Sequence, residues 1–243
     1  MIKEFTGIVV SETLYGESSK IINVLTEDNG IVGIMAKGAK KVKSKLRIGT
    51  EKFTIGVFNV YYYEGKLSKL ISVDIVNSLV NIKSDIIKIG YLTYITELAH
   101  QCARQNSSND IYKILISTIN KMEEGLNPKI LTNIMEIKML DYLGSGLELD
   151  KCVICGTSKN ILTFSNKNGG LVCKNCYTNE VIYDNKVILM LRAYHHIEID
   201  SIKSLDISKS TSDSINFILE HYYSDYTGLY LKSKKFLEEL NSI

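Results

Sequence analysis

The sequence predicts a multi-domain α+β chain: a strand-rich first third, a helical remainder, and a small cysteine-bearing module set into the helices. Three observations carry this. Up to about residue 80, β-branched and aromatic residues form short runs bounded by Gly, Asn and Asp. From Asn81 onward the apolar period lengthens from two toward 3.6. Four of the five cysteines stand in two C-x2-C pairs. At 243 residues, 45% hydrophobic and 23% charged, the chain is long enough for more than one module and too apolar for wholesale disorder. The single proline, Pro128, leaves long elements uninterrupted.

Five strands are expected in the first third. Thr6–Ser11 opens and Tyr15–Ser18 turns. Lys20–Thr26 follows, closed by Asp28-Asn29-Gly30, and Ile31–Ala36 is the third run. After a basic stretch, Phe53–Tyr63 and Lys66–Val76 supply the last two, joined by Glu64-Gly65. Five strands in this length suit a small closed barrel, either of the oligonucleotide/oligosaccharide-binding type (OB-fold) or an SH3-like one, which alternation alone does not separate. The helical part begins with a face of Ile87, Tyr91, Tyr94, Ile95, Leu98 and Cys102. Ile111, Leu115, Ile119 and Met122 mark a second helix, with Ser108 or Asn109 as N-cap. A third starts at Pro128, is apolar on two adjacent stripes, and stops near Gly144 and Gly146. Lys186–Ile197 and Ser212–Tyr223 read as helices, the latter capped by Ser210 or Thr211. The expected division is 1–80 for the barrel domain and 81–243 for the helical domain, with the module inserted at 148–180.

Cys152-Val-Ile-Cys155 and Cys173-Lys-Asn-Cys176 are separated by seventeen residues, the spacing of a four-cysteine zinc site. Two residues between cysteines let both thiolates turn onto one ion. Asn160–Ser165 and Gly170–Cys173 read as short strands joined by Asn166–Gly169, a zinc-ribbon-like arrangement. Four thiolates close the coordination shell, so a single Zn2+ there is structural. Cys102, on an apolar helix face, reads as a small core residue.

The formal charge of +2 does not by itself advertise a polyanion partner, so that case rests on clustering. Lys37, Lys40, Lys41, Lys43, Lys45, Arg47 and Lys52 fall in one stretch whose only acid is Glu51. Glycines at 38 and 49 make it a loop beside the barrel, able to follow a phosphate backbone by charge. A merely solvated loop would look the same. Phe53, Phe58, Tyr61, Tyr62 and Tyr63 follow at once; alternation sends half of such a run into the core and leaves the rest able to stack on bases. Lys232, Lys234 and Lys235 form a smaller basic group that reads equally as a solvated helix start.

No phosphate-binding loop, H-E-x-x-H or G-x-S-x-G occurs. His195 and His196 are adjacent, so on a helix they point in different directions, and with Glu198 they read as surface or structural residues. No apolar run is long enough for a membrane span, and the start lacks the features of a signal peptide, so a cytoplasmic, nucleoid-associated location is expected.

The chain resembles the bacterial DNA repair protein RecO family. The matching stretches are Thr6-Gly-Ile-Val-Val, Tyr15-Gly-Glu-Ser-Ser-Lys, Leu25-Thr-Glu-Asp-Asn-Gly30 and Ala36-Lys-Gly-Ala-Lys-Lys-Val-Lys-Ser44, with Gly228-Leu-Tyr-Leu-Lys-Ser-Lys-Lys-Phe-Leu237 near the C-terminus. The four cysteines match the zinc-bearing members. The resemblance implies an N-terminal OB-fold barrel followed by a helical domain holding the zinc module. It also implies a non-enzymatic protein that binds single-stranded and double-stranded DNA and anneals complementary strands. With RecR, such proteins help RecA load onto strands coated with single-stranded DNA-binding protein (SSB), and contacts with the acidic tail of SSB are ascribed to the helical domain. Two other readings predict different behaviour: a zinc-ribbon protein of transcription or translation would prefer RNA or a polymerase, and a metal-dependent nuclease would cleave strands through His195, His196 or Glu198.

Overall fold

In a computed structural model that describes residues 1–241, the first third closes into a five-stranded barrel. The strands are β1 (Ile2–Tyr15), β2 (Ser19–Thr26), β3 (Gly30–Ala36), β4 (Ile55–Tyr61) and β5 (Ser68–Asn77). They are ordered β1-β2-β3-β5-β4. The β3–β5 contact is parallel and the other contacts are antiparallel, with β1 against β4 closing the barrel. This is an OB-type arrangement, which decides between the two barrels that alternation left open.

β1 is much longer than the Thr6–Ser11 run suggests. Residues 2–8 pair with β4 and residues 7–15 with β2, and an irregularity between Val9 and Ser11 bends the strand between the two partners. Gly7 and Gly56 face each other across β1 and β4. A Cβ at Gly56 would lie 2.6 Å from the Asp74 carbonyl, and one at Gly7 2.5 Å from a Val24 methyl, so both positions need glycine for close packing. Phe53 is not the start of the fourth strand. It takes a left-handed conformation with φ 71°, while its N–H donates to the Val9 carbonyl.

The helices follow as α1 (Val80–Lys83), α2 (Ile86–Gln105), α3 (Asp110–Glu123) and α4 (Pro128–Tyr142). Asp85 caps α2 and Asn127 caps α4 by accepting first-turn N–H bonds, with Pro128 at the first helical position. On α2 the expected face is buried except for Ile87, which is exposed. All four expected residues of α3 are buried, and α4 is buried continuously from Ile130 to Ile137.

The module contains three strands, not two. β6 (Glu148–Cys152) pairs in parallel with β8 (Gly170–Cys173), which pairs antiparallel with β7 (Ile161–Ser165). Its Leu149, Phe164 and Leu171 enter the same apolar cluster as the helices. α5 (Asn185–His196), α6 (Lys209–Tyr226) and α7 (Lys232–Asn241) complete the chain. The cap of α6 is Ser208, whose hydroxyl accepts from the Thr211 N–H, not Ser210 or Thr211. The Glu97 carboxylate of α2 accepts from the backbone N–H groups of Lys232 and Ser233 and so fastens the start of α7.

Two apolar clusters result. One fills the barrel with Phe5, Val9, Ile22, Val24, Ile34, Phe58 and Val60. The other joins Ile8, Val10, Leu25 and Ile55 of the barrel to the helices, so the seam between them is part of a core. No helix among the described residues is long and apolar enough to cross a membrane.

Candidate nucleic-acid interface and metal centre

The basic stretch between β3 and β4 is an ordered flap. Successive turns close as the Lys41 N–H donates to Gly38, Ser44 to Lys41 and Arg47 to Ser44. Gly38, at φ 70°, supplies the left-handed residue the first turn requires. A 3-10 turn at Ile48–Thr50 follows, with the Thr50 hydroxyl donating to the Leu46 and Arg47 carbonyls. The base is tied to the β1–β2 turn: the Lys40 N–H donates to the Ser18 carbonyl and the Gly38 N–H to the Ser19 hydroxyl. Ala39 is buried in the barrel cluster and Leu46 packs against it.

Ala39 and Leu46 turn inward, whereas Val42 and Ile48 stay exposed beside the cations, which face water. Lys37, Lys41, Lys43, Lys45 and Arg47 are exposed and Lys40 is half-buried. Among the described residues none of these six forms an ion pair, whereas Lys20, Lys113, Lys121, Lys129, Lys151 and Lys234 all do. Their charge is therefore uncompensated within the chain. Lys52 is placed apart. It lies in the seam between barrel and helices, in a groove of about 460 Å³ with Glu12, Glu97, His100 and Lys232. Burial holds its ammonium below the usual lysine range, while Glu97 and Glu12 oppose that shift.

The aromatics divide by direction. Phe58 is fully buried in the barrel, Phe53 packs on the helical core, and Tyr62 lies half-buried edge-on to Phe5 beneath the Lys3 ammonium. Tyr61 and Tyr63 remain exposed, at 45% and 52%. Register brings Tyr61 to the flap: Met35 pairs with Lys69, and Lys69 pairs with Tyr61. Two strand spacings, about 10 Å, thus separate Tyr61 from the strand end that leads into Lys37. Lys69 is exposed between them. In sequence it stands well apart from the basic stretch, and the parallel β3–β5 pairing is what brings it there.

The four paired cysteines converge, with all sulfurs within 4.8 Å of one another and Cys155 Sγ 3.7 Å from Cys173 Sγ. A tetrahedron with Zn–S bonds of about 2.3 Å has edges of about 3.8 Å, so the donor set fits a zinc ion. All are free thiols. In the first knuckle the Gly156 N–H donates to the Cys152 carbonyl; in the second the Cys176 and Tyr177 N–H groups donate to the Cys173 carbonyl. Burial works to raise the Cys152 thiol, but N–H groups of Cys155, Cys173 and Ile154 outweigh it and bring the thiol down to about 6. Cys176, crowded first by Cys155, is pushed up to about 12. One thiolate forms readily and the last is opposed by its neighbours, a conflict that a divalent cation at their centre removes. Cys102 is separate and fully buried, and burial pushes its thiol up to about 12, in keeping with a core residue.

His195 and His196 do converge, contrary to the expectation from their adjacency. Both rings approach Asp150, and His196 Nε2 lies 2.7 Å from Asp150 Oδ1. Asp150 is forty-five residues earlier in the chain, which is why no local pattern exposes the group.

Comparison with known proteins covers nearly the whole chain. The family described as recombination protein O N terminal matches residues 1–79, and that described as recombination protein O C terminal matches residues 83–235. A protein of Bacillus pumilus named DNA repair protein RecO is 33% identical over 247 aligned positions, covering 100% of this chain and 96% of the relative. A Listeria monocytogenes protein of the same name is 34% identical, covering 97% and 93%. One of Halalkalibacterium halodurans is 32% identical, covering 100% and 97%.

Proposed function

The chain belongs to the recombination protein O family, and from that premise we propose that it is a non-catalytic DNA-binding protein of recombinational repair. The observation that carries this reading is the row of unpaired cations on an ordered flap beside Tyr61 and Tyr63. The flap cations Lys37, Lys40, Lys41, Lys43, Lys45 and Arg47, with Lys69, hold sugar-phosphate chains and release their counterions. The exposed tyrosines stack on unpaired bases, and duplex DNA is held by charge alone. Two strands neutralised in this way repel each other less, and base pairing then selects the match. Annealing follows without any bond being made or broken in the protein. Lys52 contributes from the seam rather than from the flap.

The resemblance to the family supports the remaining roles: action with RecR to help RecA load onto SSB-coated single strands, in the cytoplasm on nucleoid DNA. The zinc ion held by Cys152, Cys155, Cys173 and Cys176 has no open position, so its part is to brace the module against the helices. Residues 1–80 serve as the DNA-holding domain, 81–243 as the helical domain, and 148–180 as its metal module.

The test is strand annealing and single-strand affinity, with and without SSB, across salt. Each phosphate contact contributes about 0.7 to the logarithmic salt slope on single strands. Changing Lys41, Lys43 and Lys45 together to Glu should lower that slope by about 2 and weaken binding by about tenfold or more at low salt. Unchanged affinity and slope would remove the flap from the interface.

A further inference from the structure

We propose that Asp150, His195 and His196 form a second metal site, for a divalent transition ion of the zinc class, separate from the four cysteines. The histidines occupy the last turn of α5 and lie about 100° apart around it. Asp150, projecting from β6, lies where both can reach it. One ligand atom from each residue lies within 4.8 Å of the other two, and the imidazole rings stand 4.9 Å apart at 79°.

The backbone around the site holds this arrangement. Arg192, one turn before His196, donates from Nε to the Leu149 carbonyl and from Nη2 to that of Asp150. The guanidinium thereby clamps the strand that carries the carboxylate to the helix that carries the imidazoles. Lys138 donates to the His195 carbonyl and fastens the end of that helix. Against so firm a frame, rotations of the exposed Asp150 and His196 side chains and of the half-buried His195 ring would bring three donors to the roughly 2.0–2.2 Å that zinc requires.

An ordinary exposed ion pair between His196 and Asp150 would account for two of the three groups, and would be worth little. It leaves His195 unexplained. That ring is half-buried, and neither of its nitrogens forms a hydrogen bond among the described residues. On its other side His195 lines a cavity of about 390 Å³ with Lys113, Lys138, Asp110, Asp141, Glu198 and Asp200, a cavity that Asp150 and His196 do not line. Two imidazoles and one carboxylate are donors that suit zinc, cobalt or nickel and not magnesium or calcium. Bound there, the ion would join the strand entering the cysteine module to the helix leaving it.

The experiment is calorimetric titration of Zn2+ into the full chain whose cysteine site is already filled, with total metal per chain counted in parallel. One further binding event is expected, giving two ions per chain. His195→Ala with His196→Ala should remove it, and Asp150→Asn should weaken it by about tenfold or more. The thiolate-to-metal charge-transfer band of the Co2+-substituted protein reports the cysteine site and should not change in these variants. Circular dichroism confirms their folding; if the double variant misfolds, Asp150→Asn alone decides the matter. No second event at millimolar Zn2+, or an undiminished one in the variants, would overturn the proposal.

Discussion

Among the described residues, Glu136 is the one acid that is buried. It is 7% exposed within α4, Tyr94 donates to its carboxylate, and Tyr223 donates to its backbone carbonyl. Burial raises its carboxyl from 4.5 to about 7, against the opposing effects of the Tyr94 bond and Lys234, with Glu220 adding to the rise. A folded-state value above the unfolded one means that the folded chain keeps a proton the unfolded chain would release. The corresponding stabilisation is complete below about pH 4.5 and is lost as the pH climbs through about 7. Its ceiling is on the order of 3 kcal/mol. Glu136→Gln keeps the shape and an acceptor for Tyr94 but has no proton to lose. Urea midpoints of the two proteins should therefore diverge between about pH 5 and pH 7.5, the native chain weakening relative to the variant. Parallel curves would show that Glu136 ionises in the fold as it does in the unfolded chain. The sequence shows Glu136 only as a polar residue on a helix with two apolar stripes; its burial depends on α2 and α6 covering both sides.

For the elements, the sharpest expectation concerns the sheet that carries the four paired cysteines. Leu149 on β6, Phe164 on β7 and Leu171 on β8 all enter the helical core, and the Phe164 ring meets Tyr222 of α6 edge-on. Loosening the cysteine knuckles must therefore disturb the helices as well. Cys173→Ser, or removal of the ion by a chelator, should cost about 3 kcal/mol or more and lower the helical melting midpoint by roughly 6–12 °C. A helical signal that melts at an unchanged temperature would mean that the module is only an appendage. Much of this was readable from local pattern: both C-x2-C knuckles, β7 and β8 with their polar turn, and the apolar stripes of α3 and α4. β6 was not, because Glu148, Asp150 and Lys151 make it look like loop, and its parallel pairing with β8 is set by the fold of the module. Of α7 only a helix start was legible, and not its docking, for a related reason. Its lysines suggested a solvated start, while the carboxylate that caps it, Glu97, belongs to α2. In the barrel, alternation found five strands but not the start of the fourth, since a left-handed Phe53 has no sequence signal in a bulky aromatic.

For the molecule as a whole, the near-neutral charge and the cationic flap are compatible because acids and bases are segregated: the paired lysines lie elsewhere, while the flap keeps its charge unspent. The flap rests on the barrel cluster through Ala39 and Leu46, and the barrel is in turn joined to the helices by a second, shared core. The change of period near residue 81 announces a change of element type, but it carries no sign that Ile8, Val10, Leu25 and Ile55 share a core with Leu98 and Ile134, since such contacts are made across the chain. Leu25 is 1% exposed in that shared cluster. Leu25→Ala should cost about 2–5 kcal/mol. Because the core is common, the cost should fall on barrel and helices alike. Amide hydrogen exchange offers the direct measurement: protection at Ile22 in the barrel and at Ile134 in α4 should drop by the same free energy, and the two should report one cooperative opening. If exchange quickens at Ile22 while Ile134 keeps its native protection, the barrel opens by itself, and the flap's rigidity has its source inside the barrel alone.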